Sequence, residues 1–153
     1  MTSITKNILQ IAHRGNSYYH KDNSMDSISS AIKEGFSMIE IDIQICKTGE
    51  IIVYHDTYIE SQMIENITYN DIMKIDDKIL KLEEVFDISG VSNIQLYFDL
   101  KGSMNLVNAL IHFFNSVTVS KIQFKNIIIA SFNMIHIEKL YNYFPDISYG
   151  FIT

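Results

Sequence analysis

The stretch Ile39-Glu40-Ile41-Asp42-Ile43-Gln44-Ile45 alternates without a break. Strand side chains point to opposite faces in turn, so the isoleucines share one face while Glu40 and Asp42 share the other. The same parity in Gln95-Leu96-Tyr97-Phe98-Asp99-Leu100-Lys101 sets Leu96, Phe98 and Leu100 against Asp99 and Lys101. Acids gathered in one place repel one another and take up protons unless a cation neutralises them. An oxygen-only set of Glu40, Asp42 and Asp99 suits Mg²⁺ or Ca²⁺, whereas a lone cysteine, Cys46, argues against a structural zinc site. The plainer readings are an amphipathic edge strand for Glu40 and Asp42, and a solvated surface pair for Asp99 and Lys101.

His13 follows the apolar run from Ile8 to Ala12, and His55 ends the run Ile51-Ile52-Val53-Tyr54. Each histidine therefore falls at the C-terminal end of a strand, which is the working end of a parallel α/β sheet. Imidazole exchanges a proton near neutrality and suits acid/base work. Arg14 and Lys101 add positive charge for an anionic substrate, and the forked guanidinium can grip two phosphate oxygens. Metal, two histidines and two cations together suit phosphodiester cleavage. His20, His112 and His136 lie outside this pattern and are read as structural or exposed.

These groups need a scaffold. Strand-like runs recur at Ile8–Ala12, Met38–Ile45, Ile51–Tyr54, Gln95–Leu100, Asn126–Ala130 and Ile147–Phe151. Between most of them the apolar spacing is helical: Met25, Ile28 and Ile32 behind Ser24 as N-cap and before Gly35; Val107, Leu110, Ile111 and Phe114; and Met134 to Phe144 behind Asn133 and before Pro145. A shorter helix is expected from Leu82 to Ile88. Strands separated by helices pair in parallel through crossovers, so the class is α/β. With 153 residues, 47% of them hydrophobic, residues 1–153 read as a single domain able to bury a core. The net charge of -6, without a Lys/Arg cluster, disfavours nucleic acid as a partner. No run is long enough to span a membrane and no targeting signal is read, which makes the cytoplasm the default location.

His13-Arg14-Gly15-Asn16, Asp22-Asn23-Ser24, Ile39-Glu40-Ile41-Asp42-Ile43 and Lys47-Thr48-Gly49-Glu50-Ile51-Ile52-Val53-Tyr54-His55-Asp56 resemble, in order and spacing, the signature of the glycerophosphodiester phosphodiesterase family. Leu82-Glu83-Glu84-Val85, Phe98-Asp99-Leu100-Lys101 and Ala130-Ser131-Phe132-Asn133 resemble its later segments, so the likeness runs over nearly the whole chain. The resemblance implies a TIM (β/α) barrel with its site at the C-terminal strand ends. It implies Glu40, Asp42 and Asp99 as metal ligands, His13 and His55 as the acid/base pair, and Arg14 and Lys101 as phosphate holders. Asn23, in place of the family's Pro-Glu-Asn-Thr asparagine, is implied to support the site; its other reading is a turn residue capping the next helix. The implied reaction is metal-dependent hydrolysis of a glycerophosphodiester to sn-glycerol 3-phosphate and an alcohol.

Three departures bear on this expectation. Asp99 stands where the family has Glu, a change also similar to the venom sphingomyelinase D relatives, and Lys21 stands in the place of the motif's proline. A TIM barrel takes about 250 residues, and this chain offers about six of eight βα units, the incomplete barrel leaving strand edges that invite a second copy or a completing chain. The alternatives are therefore a catalytically silent relative that binds a phosphate-bearing ligand or partner, and a lipid-cleaving sphingomyelinase D-like enzyme.

Overall fold

The computed structural model describes residues 9–88, 91–116 and 123–153. Strand β1 (Ile11–His13) leads through a polar turn to helix α1 (Met25–Lys33), and β2 (Met38–Ile45) follows. Next comes β3 (Ile51–Val53), and then an excursion containing the short hairpin β4 (Tyr58–Ile59) and β5 (Gln62–Met63), α2 (Tyr69–Ile75) and α3 (Leu82–Val85). Three further strands, β6 (Gln95–Leu100), β7 (Ile127–Ser131) and β8 (Ser148–Phe151), are separated by α4 (Met104–Ser116) and α5 (Met134–Tyr143).

The main sheet has six strands, with β1, β2, β6, β7 and β8 in that order and each neighbouring pair parallel. The sixth departs from expectation. β3 runs antiparallel to β2, pairing Val53 with Ile43 and Ile51 with Ile45. Only five strands thus belong to the parallel barrel wall, because the five residues between β2 and β3 allow a hairpin but no crossover. The helix expected from Leu82 to Ile88 closes after one turn, at Val85.

One face of the sheet carries Ala12, Ile39, Ile41, Leu96, Phe98, Ile127 and Ile129, all buried beneath the helices with Ile28, Leu106, Leu110 and Leu140. A second, smaller core of Ile52, Ile59, Ile64, Ile72 and Ile79 holds the excursion together. Local chemistry fixes the helix ends as read. Ser24 and Ser27 exchange side-chain-to-backbone hydrogen bonds in a capping box at the start of α1, and Asn133 Oδ1 accepts from the Ile135 N–H at the start of α5. Gly35 follows α1 with φ of 78°, as a C-terminal glycine should.

Truncating Leu110, fully buried where α4 meets the sheet, is expected to cost about 2–5 kcal/mol of unfolding free energy in a denaturant titration. Ile135→Ala, on the exposed side of α5, should change it by less than about 0.5 kcal/mol.

Candidate active site

Parallel register decides which polar residues meet. Glu40 lies beside His13 of β1 and Tyr97 of β6, and Asp42 lies beside Asp99. Register partners point to the same face, so Glu40, Asp42 and Asp99 gather on the side of the sheet away from the helices. β2 is a central strand, and every residue in it is buried. That removes the amphipathic edge-strand reading. Ligand oxygens of the three acids lie within 4.8 Å of one another, with Asp42 only 1% exposed and the other two 8%.

The turn after β1 wraps this cluster. Arg14 takes a left-handed conformation (φ 58°) and its backbone N–H donates to Glu40 Oε2 at 2.8 Å. Gly15 follows with φ of 77°, and a Cβ there would fall 2.4 Å from Ser27 Oγ, so the chain can cross α1 only as glycine. The Arg14 Nε lies 3.1 Å from Asp42 Oδ2, an ion-pair approach without hydrogen-bond alignment, while Nη1 donates to Asp22 Oδ2 at 3.3 Å. Asn23, also left-handed, donates from its amide to Asp42 Oδ2 at 2.9 Å and accepts from the Asp42 backbone N–H at 3.2 Å. Its side chain therefore ties the turn to the carboxylate. Ser24, one residue on, is the helix cap.

Electrostatics follow from the crowding. Burial, and after it the Asp42 charge, push the Glu40 carboxyl from 4.5 up to about 7, against the opposing pull of the Arg14 N–H. The Lys101 ammonium reaches Asp99 Oδ2 at 2.6 Å and Asp42 Oδ1 at 3.4 Å. Burial alone would lower its pKa, but those two partners outweigh burial and raise it. Asp99 Oδ1 is buried with no hydrogen-bond partner. A buried carboxylate oxygen left unpaired beside two other acids is what a divalent cation would satisfy, and three oxygen donors fit a hard ion such as Mg²⁺ or Ca²⁺. The residues present thus fit the expected metal group, with Asp99 keeping its place in the cluster despite its shorter side chain.

The histidines stand at the margin. His13 is 69% exposed, its Nε2 3.9 Å from Glu40 Oε2. His55 is reached differently from expectation, since β3 descends antiparallel beside β2 and brings residues 54–56 back level with Asp42, whose carbonyl accepts the Tyr54 N–H at 3.0 Å. Its Nδ1 is 2.7 Å from Asp56 Oδ1. His55 lines a cleft of about 180 Å³ with Arg14, Asp22 and Asn23. His112 lines a different cavity, against α4, and His136 is buried beside Ser131 Oγ at 3.2 Å.

Sequence reasoning passed over Gln44, Asp56 and Asp22. Gln44 is buried and donates from its amide to the Tyr54 and Asp56 carbonyls at 2.9 and 2.7 Å. Its parity with Glu40 and Asp42 was a visible signal, but its partners become neighbours only through the β2–β3 hairpin. Phe132, over which Lys101 Nζ lies at 5.5 Å, is likewise brought in from the end of β7.

Residues 13–153 match the model of the glycerophosphoryl diester phosphodiesterase family. A glycerophosphodiester phosphodiesterase of Caldanaerobacter subterraneus is 27% identical over 114 residues, covering 64% of this chain and 47% of the relative. Glycerophosphodiester phosphodiesterase 1 of Rattus norvegicus is 26% identical over 117 residues, covering 65% of this chain and 35% of its own. Among solved structures, the Thermotoga maritima glycerophosphodiester phosphodiesterase superposes with a TM-score of 0.77 at 23% identity, covering 95% of this chain and 62% of that one. An Oleispira antarctica phosphodiesterase, solved with the product sn-glycerol-3-phosphate, gives 0.80 at 20% identity, covering 92% and 64%. The chain spans about half or less of the curated relatives it matches and under two thirds of these structures, and its parallel sheet is the corresponding part of their α/β barrel. With its motifs in order from His13 onward and its three acids converging on one face of the sheet, the chain belongs to the glycerophosphoryl diester phosphodiesterase family.

Proposed function

We propose that this chain carries the metal and phosphate site of a glycerophosphodiester phosphodiesterase, and that the site releases sn-glycerol 3-phosphate and an alcohol. The observation that carries the reading is the buried trio of Glu40, Asp42 and Asp99 with one carboxylate oxygen unpaired. The product bound in the Oleispira antarctica neighbour supports a small glycerophosphate ligand, and among the described residues no helix is long and apolar enough to cross a membrane.

In this reading Glu40, Asp42 and Asp99 hold a divalent cation, Mg²⁺ or Ca²⁺, which supplies Lewis-acid polarisation of the phosphoryl oxygen. Arg14 and Lys101, already bordering the acids, hold the phosphate, Arg14 with the forked geometry that suits two oxygens. One imidazole accepts the proton of the attacking hydroxyl as its oxygen bonds to phosphorus. The other donates a proton to the departing alkoxide, so the P–O bond breaks without releasing a strong base. His55 suits such work because donation from Nδ1 to Asp56 fixes the tautomer and leaves Nε2 free. A second reading, ligand binding without turnover, is favoured by the close hold of Asp99 on Lys101.

Incubation of the purified protein with glycerophosphocholine and Mg²⁺ or Ca²⁺ is expected to release glycerol 3-phosphate. Chelator should abolish release, and His13→Ala or His55→Ala should each lower it by about 10²–10⁴-fold. Binding without release would favour the silent relative. Equal release in every sample would overturn the assignment.

The Glu40 carboxyl gives a separate test of the ligand set. Its pKa is raised above the unfolded value, so the unfolded chain loses this proton first and metal-free stability falls as pH climbs from 4.5 to about 7. A divalent cation needs the ionised form and should therefore raise Tm more at about pH 8 than at about pH 5.5. An equal rise at both would remove Glu40 from the site.

The outer edges of β1 and β8 have no strand partner among the described residues, and Leu9, Ile11 and Phe151 are exposed there. Such edges recruit strands. A second copy or a completing chain is accordingly part of the proposal, and sedimentation of this chain alone should show association; a stable lone monomer would count against it.

A further inference from the structure

We propose that Gln44 is a positioning residue for His55, an inference that rests on the catalytic role proposed for that histidine. Gln44 belongs to β2, on the same face as Glu40 and Asp42, and is buried. Its side-chain amide has two N–H groups, and both are used: one donation to the Tyr54 carbonyl at 2.9 Å and one to the Asp56 carbonyl at 2.7 Å. These two carbonyls bracket His55. β3 ends at Val53, so residues 54–56 have left the sheet ladder after the single bond from the Tyr54 N–H to the Asp42 carbonyl. Without Gln44 both carbonyls would have to find other donors beneath a half-exposed loop, and nothing else described donates to either.

The consequence is geometric. The same strand that supplies Glu40 and Asp42 also holds, two residues further on, the backbone just before and just after the residue that carries the imidazole. Clamping the Tyr54 carbonyl restrains the peptide that enters His55, clamping the Asp56 carbonyl restrains the one after Asp56, and the Nδ1 contact to Asp56 then sets the ring. Metal ligands and proton-transfer group are thereby referred to one rigid strand, although His55 itself sits in a loop. A side-chain amide suits the task because it presents two hydrogens about one nitrogen; a carboxylate offers none, and the amide of asparagine is shorter by one methylene.

The test uses Gln44→Met, which keeps length and volume but cannot donate, with Gln44→Asn as a polar variant that cannot reach. With glycerophosphocholine and saturating divalent cation, both are expected to lose about 10–100-fold in kcat, the scale of a misplaced catalytic group, with KM changed by less than about threefold. The metal-dependent rise in Tm should match that of the unsubstituted chain. Gln44→Met combined with His55→Ala should be no slower than His55→Ala alone, because the amide acts only through that ring. Unchanged kcat, a loss confined to KM, or fully additive losses in the double variant would overturn the assignment. NMR of the ring supplies an arm independent of turnover: the His55 signals should broaden or split in both variants, and unaltered signals would overturn the proposal even in a folded protein. If the unsubstituted chain hydrolyses nothing, the phosphodiesterase reading fails, and the positioning role is decided by the ring signals alone.

Discussion

Three carboxylates withdrawn from water and held within 4.8 Å of one another set the terms for the rest of this site. At an effective dielectric constant near 20, each ionised pair at that separation repels by about 3–4 kcal/mol. A fold that keeps such a cluster must answer it. Here the answers are distributed: a proton shared onto Glu40, whose carboxyl is pushed up to about 7, the Lys101 ammonium between Asp42 and Asp99, and the Arg14 guanidinium against Asp42. One oxygen, Asp99 Oδ1, remains without a partner.

The left-handed turn after β1 is a direct response to this constraint. Folding back through Arg14 and Gly15 aims a backbone N–H at Glu40, and Asn23 then seals the loop by bonding both the side chain and the backbone of Asp42. The left-handed conformation at Arg14 carries strain of order 1–3 kcal/mol, whereas an asparagine, as at Asn23, adopts it more readily. Their persistence is understandable where each satisfies a buried charge that would otherwise be costlier. The Asn23 side chain bonds Asp42 and does not cap the helix, which is the work of Ser24.

The acids and the second histidine come from opposite kinds of strand pairing. Parallel neighbours β2 and β6 place Asp42 beside Asp99, whereas the antiparallel β3 runs back along β2 and brings the His55 segment level with Asp42. A hairpin return is less constrained than a sheet ladder. The Gln44 amide restores that constraint from the strand that carries the acids. The smaller core under the excursion supports this returning segment from outside the main sheet.

Much of this was legible in the chain itself. Strict alternation over Ile39 to Ile45 determined that Glu40 and Asp42 share a face, whatever the strand's neighbours, because side-chain parity is a local property of extended backbone. The caps at Ser24 and Asn133, and the ordered motifs that mark the family, were local for the same reason. Tertiary structure decided what depends on pairing: that β2 is central and buried on both faces, that β3 is antiparallel, and that the polar groups of Asp42, Arg14, Asn23 and Lys101 meet. It also decided that Gln44 reaches the peptides around His55. Strand order and register arise from the packing of the whole sheet, and no window of sequence contains them.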